Sequence, residues 1–197
     1  MDPATRDFYQ QHARKWAEAF PYPHSKFLDP FCARLDPGAH ILELGCGDGR
    51  DAARMEAHGF VVDATDGTAS MAELAAEKLG RPARQMEFGQ LDAEAGYDAV
   101  WAHASLHHQP IEGLAHVLAR IFRALRPGGW FFANYKLGQG DARDALGRLY
   151  NFPPRDDLMA LYAAHDWSLV EVLDYRDSGM DKVMRDWIAI TVQKGPA

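Results

Sequence analysis

The sequence predicts a doubly wound α/β fold, a mostly parallel sheet with helices on both faces. Three observations point there. From Ala39 to Tyr135, short apolar runs of strand length alternate with helix-periodic segments, and strands separated by helices join through right-handed crossovers into a parallel sheet. Residues 41–49, Ile-Leu-Glu-Leu-Gly-Cys-Gly-Asp-Gly, read as a buried strand entering a glycine-rich turn at the head of a helix. Beyond residue 166 the pattern changes to two strand-like segments joined by a loop, which form an antiparallel pair at the sheet edge.

The elements follow in order. After Pro3, residues Thr5 to Ala19 carry an apolar and aromatic set (Phe8, Ala13, Trp16, with Phe20 beyond) at helical spacing, and Pro21 with Pro23 ends that helix. A short helix over about Lys26–Leu35 stops at Asp36-Pro37-Gly38, a turn signature. Then come strand Ala39–Leu44, helix Arg50–Ala57, strand Phe60–Ala64, helix Ser70–Leu79, strands Arg84–Phe88 and Ala99–His103, helix Ile111–Leu125 and strand Trp130–Tyr135. Pro127-Gly128-Gly129 turns the chain from the last helix into that strand. Trp167–Tyr175 and Trp187–Gln193 supply the final pair, around a loop holding Asp177-Ser178-Gly179. The sum is a Rossmann-like sheet of seven strands with one antiparallel edge strand. A single domain over residues 1–197 is expected, with residues 1–36 as a helical cap over the ligand pocket.

Composition narrows the function. At 197 residues and 47% hydrophobic the chain can bury a sizeable core. A net charge of −7 argues against a basic face for nucleic acid and favours a small-molecule partner. Cys32 and Cys46 are too few for a disulfide framework or a metal knuckle, which suits a reducing compartment. No apolar run is long enough to span a bilayer, so a cytoplasmic protein without membrane attachment, monomeric or weakly homo-oligomeric, is expected.

In an open α/β sheet the ligand lies outside the carboxyl ends of the strands. The first strand ends in Gly45-Cys46-Gly47-Asp48-Gly49, where glycine permits positive φ and close backbone approach. The spacing is G-x-G-x-G; the dinucleotide fingerprint places its third glycine where this chain has Arg50, which disfavours a nicotinamide cofactor. The second strand ends at Asp66-Gly67, about 21 residues after Gly45, the place of an acid that accepts from ribose hydroxyls.

With Glu43 ahead of the first glycine, the stretch resembles the first motif of class I S-adenosylmethionine-dependent methyltransferases. That resemblance implies S-adenosylmethionine as cofactor, held by Glu43, Gly45, Cys46, Gly47, Gly49, Asp66 and Gly67. It also implies that Glu87 and Phe88 contact adenine, with Asp92 the alternative should the loop align differently. His103 belongs to the strand end whose carbonyls face the methionine amine; Trp16, with Phe8 and Tyr9, lies on a helix that either packs as core or covers the pocket. The stretches YDAVWAHASLHHQP, YKLGQGDARDALGRLYNF and DWIAITVQK look like a bacterial subfamily of small enzymes grouped with tellurite-resistance methyltransferases. There His108 stands where the pattern has histidine, whereas His107 replaces a usual leucine.

The expected activity is methyl transfer to a small-molecule acceptor, anionic or a metalloid oxyanion. His108, aided by His107, is expected to orient or deprotonate it, because an imidazole near its reference pKa suits that task. Lys136, with Arg143 and Arg148, follows the fifth strand and suggests an anionic acceptor, though Asp141, Asp144 and Arg148 could equally pair along a solvated face. His103 and His107 stand four apart, but no carboxylate or cysteine accompanies them at ligand spacing, so no metal is expected. The competing reading is a non-catalytic protein that binds S-adenosylmethionine or S-adenosylhomocysteine on the same fold.

Overall fold

The computed structural model describes residues 1–19, 23–179 and 182–196. Phe20 and Pro21, read above with the first helix and its stop, lie outside them. Helix α1 (Pro3–Glu18) opens on Asp2, whose carboxylate accepts from the Thr5 N–H at 2.9 Å, and Pro3 fits the first turn because its missing N–H needs no intrahelical partner there. Helix α2 (Leu28–Cys32) is shorter than the expected 26–35. The N–H groups of Arg34 and Leu35 bond the carbonyls of Phe31 and Cys32, a tighter three-residue closure that ends the α-helix.

The remaining elements are β1 (His40–Leu44), α3 (Arg50–Ala57), β2 (Val61–Asp66), α4 (Ala69–Leu79), β3 (Arg84–Gln85), β4 (Tyr97–Ala102), α5 (Ile111–Ala124), β5 (Leu125–Lys136), β6 (Gly140–Arg143), β7 (Leu149–Phe152), α6 (Arg155–Ala163), β8 (Trp167–Ser178) and β9 (Met184–Lys194). The main sheet has seven strands in the order β3-β2-β1-β4-β5-β9-β8. The expected Rossmann-like architecture is present: β3 to β5 pair in parallel, and β9 alone runs against both neighbours. It lies one place in from the edge, with β8 outermost. Strand order reverses between β1 and β4, and the crevice above that switch point is where the topology places a ligand.

Side-chain alternation divides each central strand between two cores. Leu42, Val100, Ala102 and Phe131 join Leu114, Leu118 and Tyr162 of α5 and α6, whereas Ile41, Ala99, Trp101 and Phe132 join Phe31, Ala52 and Ala75 of α2 to α4. Both faces being covered, the central strands bury side chains on both sides instead of alternating buried with exposed. Among the described residues no helix is long and apolar enough to cross a membrane.

The third strand keeps only two of its expected residues. The Met86 N–H makes a last bond to the Asp66 carbonyl at 2.8 Å, after which Glu87 and Gln90 cap one another around a turn of 3-10 helix, Phe88–Gln90. The fifth strand is longer than expected, because Pro127-Gly128-Gly129 falls within its span near the shift of register against β4 between Tyr97 and Ala99. The β6–β7 hairpin and α6 were not foreseen. Asp156 and Asp157 in the first turn after Pro153-Pro154 are a legible helix start; the hairpin is too short and glycine-rich to show a period.

Candidate active site

A cavity of about 1030 Å³ opens at the carboxyl ends of β1, β2 and β4, with Tyr9 and Trp16 of α1 among its walls. Single small-molecule sites span roughly 300–1,000 Å³, so there is room for two ligands side by side. Of the expected cofactor residues, Glu43, Gly45, Cys46, Gly47, Asp66, Gly67, Phe88, His103 and Trp16 line it; Gly49 and Glu87 stand behind or beside the wall.

The three glycines do different work. All have φ between 55° and 79°. A Cβ on Gly45 would fall 2.5 Å from the Ser105 Cβ, and one on Gly49 would fall 3.0 Å from the Ala75 Cα, so those two allow close packing of the turn on the β4 loop and on α4. A Cβ on Gly47 meets nothing within 4 Å, and this residue faces the cavity. The turn is tied to β2 by the Gly45 and Cys46 N–H groups, both 2.8 Å from the Thr65 carbonyl. Arg50, in place of the third fingerprint glycine, pairs with Asp48 at 2.7 Å, and Lys78 bonds the other oxygen of that carboxylate at 2.6 Å.

Carboxylates collect on this side. Asp66 accepts from the Gly47 N–H at 3.1 Å and from the N–H and hydroxyl of Thr68 at 2.9 and 3.0 Å. Burial raises its pKa, against the pull of those donors. Burial, with Asp51, Asp66 and Asp48 nearby, pushes the Glu43 carboxyl well above the usual range, and its Oε2 is buried without a hydrogen-bond partner among the described residues. Sequence reasoning missed Asp51, which accepts from the Ser25 N–H at 2.7 Å and the Trp101 indole at 2.9 Å, pinning the loop before α2 to β4. His103 stacks on Trp101 with its Nδ1 3.8 Å from Asp51, and burial lowers its pKa. Glu87 points to Arg6 (3.7 Å) and the Met1 amine (2.5 Å), while Phe88 is buried in the wall.

The loop after β4 and the end of β5 bring the expected catalytic residues to the same cavity. The Leu149 carbonyl lies 2.7 Å from His108 Nδ1, which must therefore carry the proton; Nε2 is left as acceptor for the Tyr9 hydroxyl at 2.9 Å. The Tyr9 oxygen in turn accepts from Arg148 at 2.9 Å. Burial drives the His108 pKa down to about 3, and both ring nitrogens are engaged. His107 differs: burial, with His108 and Lys136 adjacent, holds its pKa well below the ordinary value, and its Nδ1 has no partner among the described residues. Of the side-chain atoms buried without a partner, Glu43 Oε2, Ser105 Oγ and His107 Nδ1 belong to residues of this wall, and Asn151 Oδ1 does not.

The cations separate too. Arg143 bonds Asp2 at 2.7 and 2.9 Å, and Arg148 bonds Asp144 at 2.6 and 2.9 Å while lying 4.2 Å over the Trp16 ring. Both fasten the hairpin and α1, which removes them from the case for an anionic acceptor. Lys136 is buried in the cavity wall, its Nζ 3.9 Å from the centre of the Tyr150 ring. Tyr150 was missed because it lies on the unforeseen hairpin. Among the described residues no group of three or more potential ligands could hold a metal.

Residues 42–131 match the family described as Methyltransferase domain. The O-methyltransferase cnsE of Penicillium expansum is 32% identical over 164 residues, 74% of this chain and 58% of that protein. The 27-O-demethylrifamycin SV methyltransferase of Amycolatopsis mediterranei is 34% identical over 106 residues, 48% of this chain and 38% of its own length. The chain thus spans less than two thirds of either curated relative. Among solved structures, the 1,6-didemethyltoxoflavin-N1-methyltransferase of Burkholderia thailandensis, with bound 1,6-didemethyltoxoflavin and S-adenosylhomocysteine, has a TM-score of 0.73 at 24% identity over 98% of this chain and 88% of that one. At that identity the likeness carries the fold.

Proposed function

We propose that this chain, which carries a class I S-adenosylmethionine-dependent methyltransferase domain, moves the methyl group of S-adenosylmethionine to a small-molecule acceptor. The carrying observation is the buried Glu43 carboxyl, its Oε2 without a partner among the described residues, in the same cavity wall as the open Gly47 backbone. A ligand with a sulfonium and an ammonium suits such a carboxylate-lined end, whereas the pyrophosphate of a dinucleotide would be repelled there. Asp66 would accept from the ribose hydroxyls with lone pairs left by Gly47 and Thr68, Phe88 would pack on adenine, and helix α1, with Tyr9 and Trp16 in the cavity wall, would cover both. S-adenosylmethionine supplies a methyl already activated on sulfur: the acceptor's lone pair bonds the methyl carbon, the carbon–sulfur bond breaks with its electrons kept by sulfur, and any acceptor proton leaves for a base. The residues then need to align, exclude water and take that proton.

In this reading the two histidines exchange the roles expected from sequence. His107 faces the acceptor as a neutral imidazole, and His108 positions Tyr9. Lys136 favours an acceptor that is anionic or becomes so.

Two measurements test the cofactor site. Asp66→Ala is expected to weaken S-adenosylhomocysteine binding tenfold or more, since charge-assisted hydrogen bonds contribute roughly 1.5–3 kcal/mol; calorimetry showing wild-type affinity in a folded variant removes Asp66 from the site. Glu43 should couple S-adenosylmethionine binding to pH. A cation favours the ionised carboxylate, so affinity should fall as pH drops through the raised Glu43 pKa, and binding in that window should release a proton. Calorimetry in two buffers of different ionisation enthalpy counts that proton. Glu43→Gln should abolish the release, lower affinity about tenfold, and raise the Tm of the ligand-free protein near neutral pH. The sign follows because a carboxyl whose folded pKa is raised loses stability as pH climbs from its unfolded value through its folded one. Methylation of no acceptor despite tight binding would move the chain to the sensing alternative.

A further inference from the structure

We infer that the acceptor is a flat aromatic compound bearing an acidic O–H or N–H, stacked at the Tyr150–Trp187 end of the cavity with its ionising atom beside Lys136 and His107. This rests on the proposed methyl transfer and names the class of molecule that the site would take. At that end the His107 ring lies 4.9 Å from Tyr150 and 6.0 Å from Trp187, and Lys136 Nζ lies 3.9 and 5.4 Å from the same two ring centres. Tyr175 stacks on Trp187 at 6.0 Å and 22°, and Asn134 fixes it by donating to its hydroxyl at 3.0 Å. Asn134 also accepts from the Ala104 N–H at 2.6 Å, so the same side chain sets the loop that leads to His107.

These walls discriminate among acceptors. Aromatic faces offer offset or edge-on stacking to a planar ring and nothing directional to a saturated one. A metalloid oxyanion presents polar atoms on all sides, and burying them against rings leaves most unpaired; the two arginines that could answer them are held by Asp2 and Asp144. A cationic amine would meet the Lys136 charge beside the two rings. An acidic O–H or N–H fits: the compound ionises on binding, its proton passing to solvent, and the Lys136 ammonium 3.9 and 5.4 Å from the two ring centres stabilises the anion left behind. The carboxylates Glu43 and Asp66 line the same cavity at the glycine turn and the end of β2.

The test uses 4-nitrophenol, whose phenol and phenolate absorb at different wavelengths, added to the protein saturated with S-adenosylhomocysteine. The bound compound should ionise at a pH lower by about one unit or more than in free solution, the shift expected of a carried cation. Lys136→Met should abolish the shift, and Trp187→Leu should weaken nitrophenol binding about tenfold while leaving S-adenosylhomocysteine affinity unchanged. Cyclohexanol or selenite competing as tightly as nitrophenol, or a bound phenol that ionises as it does in solution, overturns the inference. Those wild-type comparisons decide it even if a variant fails to fold. Calorimetry with S-adenosylhomocysteine reads the cofactor site separately, and the nitrophenol titration repeated without it reads the ring subsite by itself, so failure of the methyl-transfer reading and failure of the acceptor class give different results.

Discussion

Gly45→Val is expected to lower the Tm by about 6–20 °C and to abolish binding of S-adenosylmethionine. Two costs add. The residue holds φ at +79°, a region in which a branched side chain is strained by about 1–2 kcal/mol, and its Cβ would overlap that of Ser105, with the Ser105 Cα at 3.7 Å. The neighbour is not a flexible tip, so the loop from His103 to His108 must move. A total of about 3–5 kcal/mol at roughly 2–4 °C per kcal/mol gives the shift, read by calorimetric or spectroscopic melting. The sequence alone suggested that a side chain here would block the ligand; the clash is instead with protein. Gly47→Ala is the matched control. Its methyl group meets open space, so the variant should fold with a small loss and still bind poorly, because the intrusion is into the cavity. A Gly45→Val protein with the wild-type Tm would contradict the packing, and a Gly47→Ala protein with the wild-type affinity would remove the cradle.

Once an acceptor is found, His107→Ala should lower kcat by about 10²-fold, because the neutral ring packed against Tyr150 and Trp187 helps hold the acceptor in line, with little change in S-adenosylmethionine affinity. The pH profile carries more information than the rate. Burial holds both imidazoles neutral well below 6.5, His108 down to about 3, so kcat/KM should show no imidazole limb near 6.5. His108→Ala should behave differently: it strands the Tyr9 hydroxyl and the Leu149 carbonyl, so the loss should fall on Tm and on KM more than on kcat. If removing His107 leaves kcat unchanged across pH while removing His108 depresses it, the roles revert to those that sequence suggested.

What the sequence by itself determined is local. Strand and helix periods, the positive-φ glycines after β1, the acid closing β2 and the helix-free C-terminal pair are each written in a few consecutive residues, and they specify both the architecture and the glycine-turn side of the cavity. What only the tertiary structure decided is which polar atoms remain available. His108 loses its acceptor nitrogen to Tyr9, 99 residues away, and Arg148 bonds that same hydroxyl across 139 residues. Gly45 owes its necessity to Ser105, and the acceptor end owes a wall to Tyr150 of a hairpin without a readable period. The physical reason is that a hydrogen bond or a ring contact depends on where two distant segments meet, and that depends on the packing of the whole chain. Residue types at strand ends name the candidates; the satisfied and unsatisfied lone pairs choose among them.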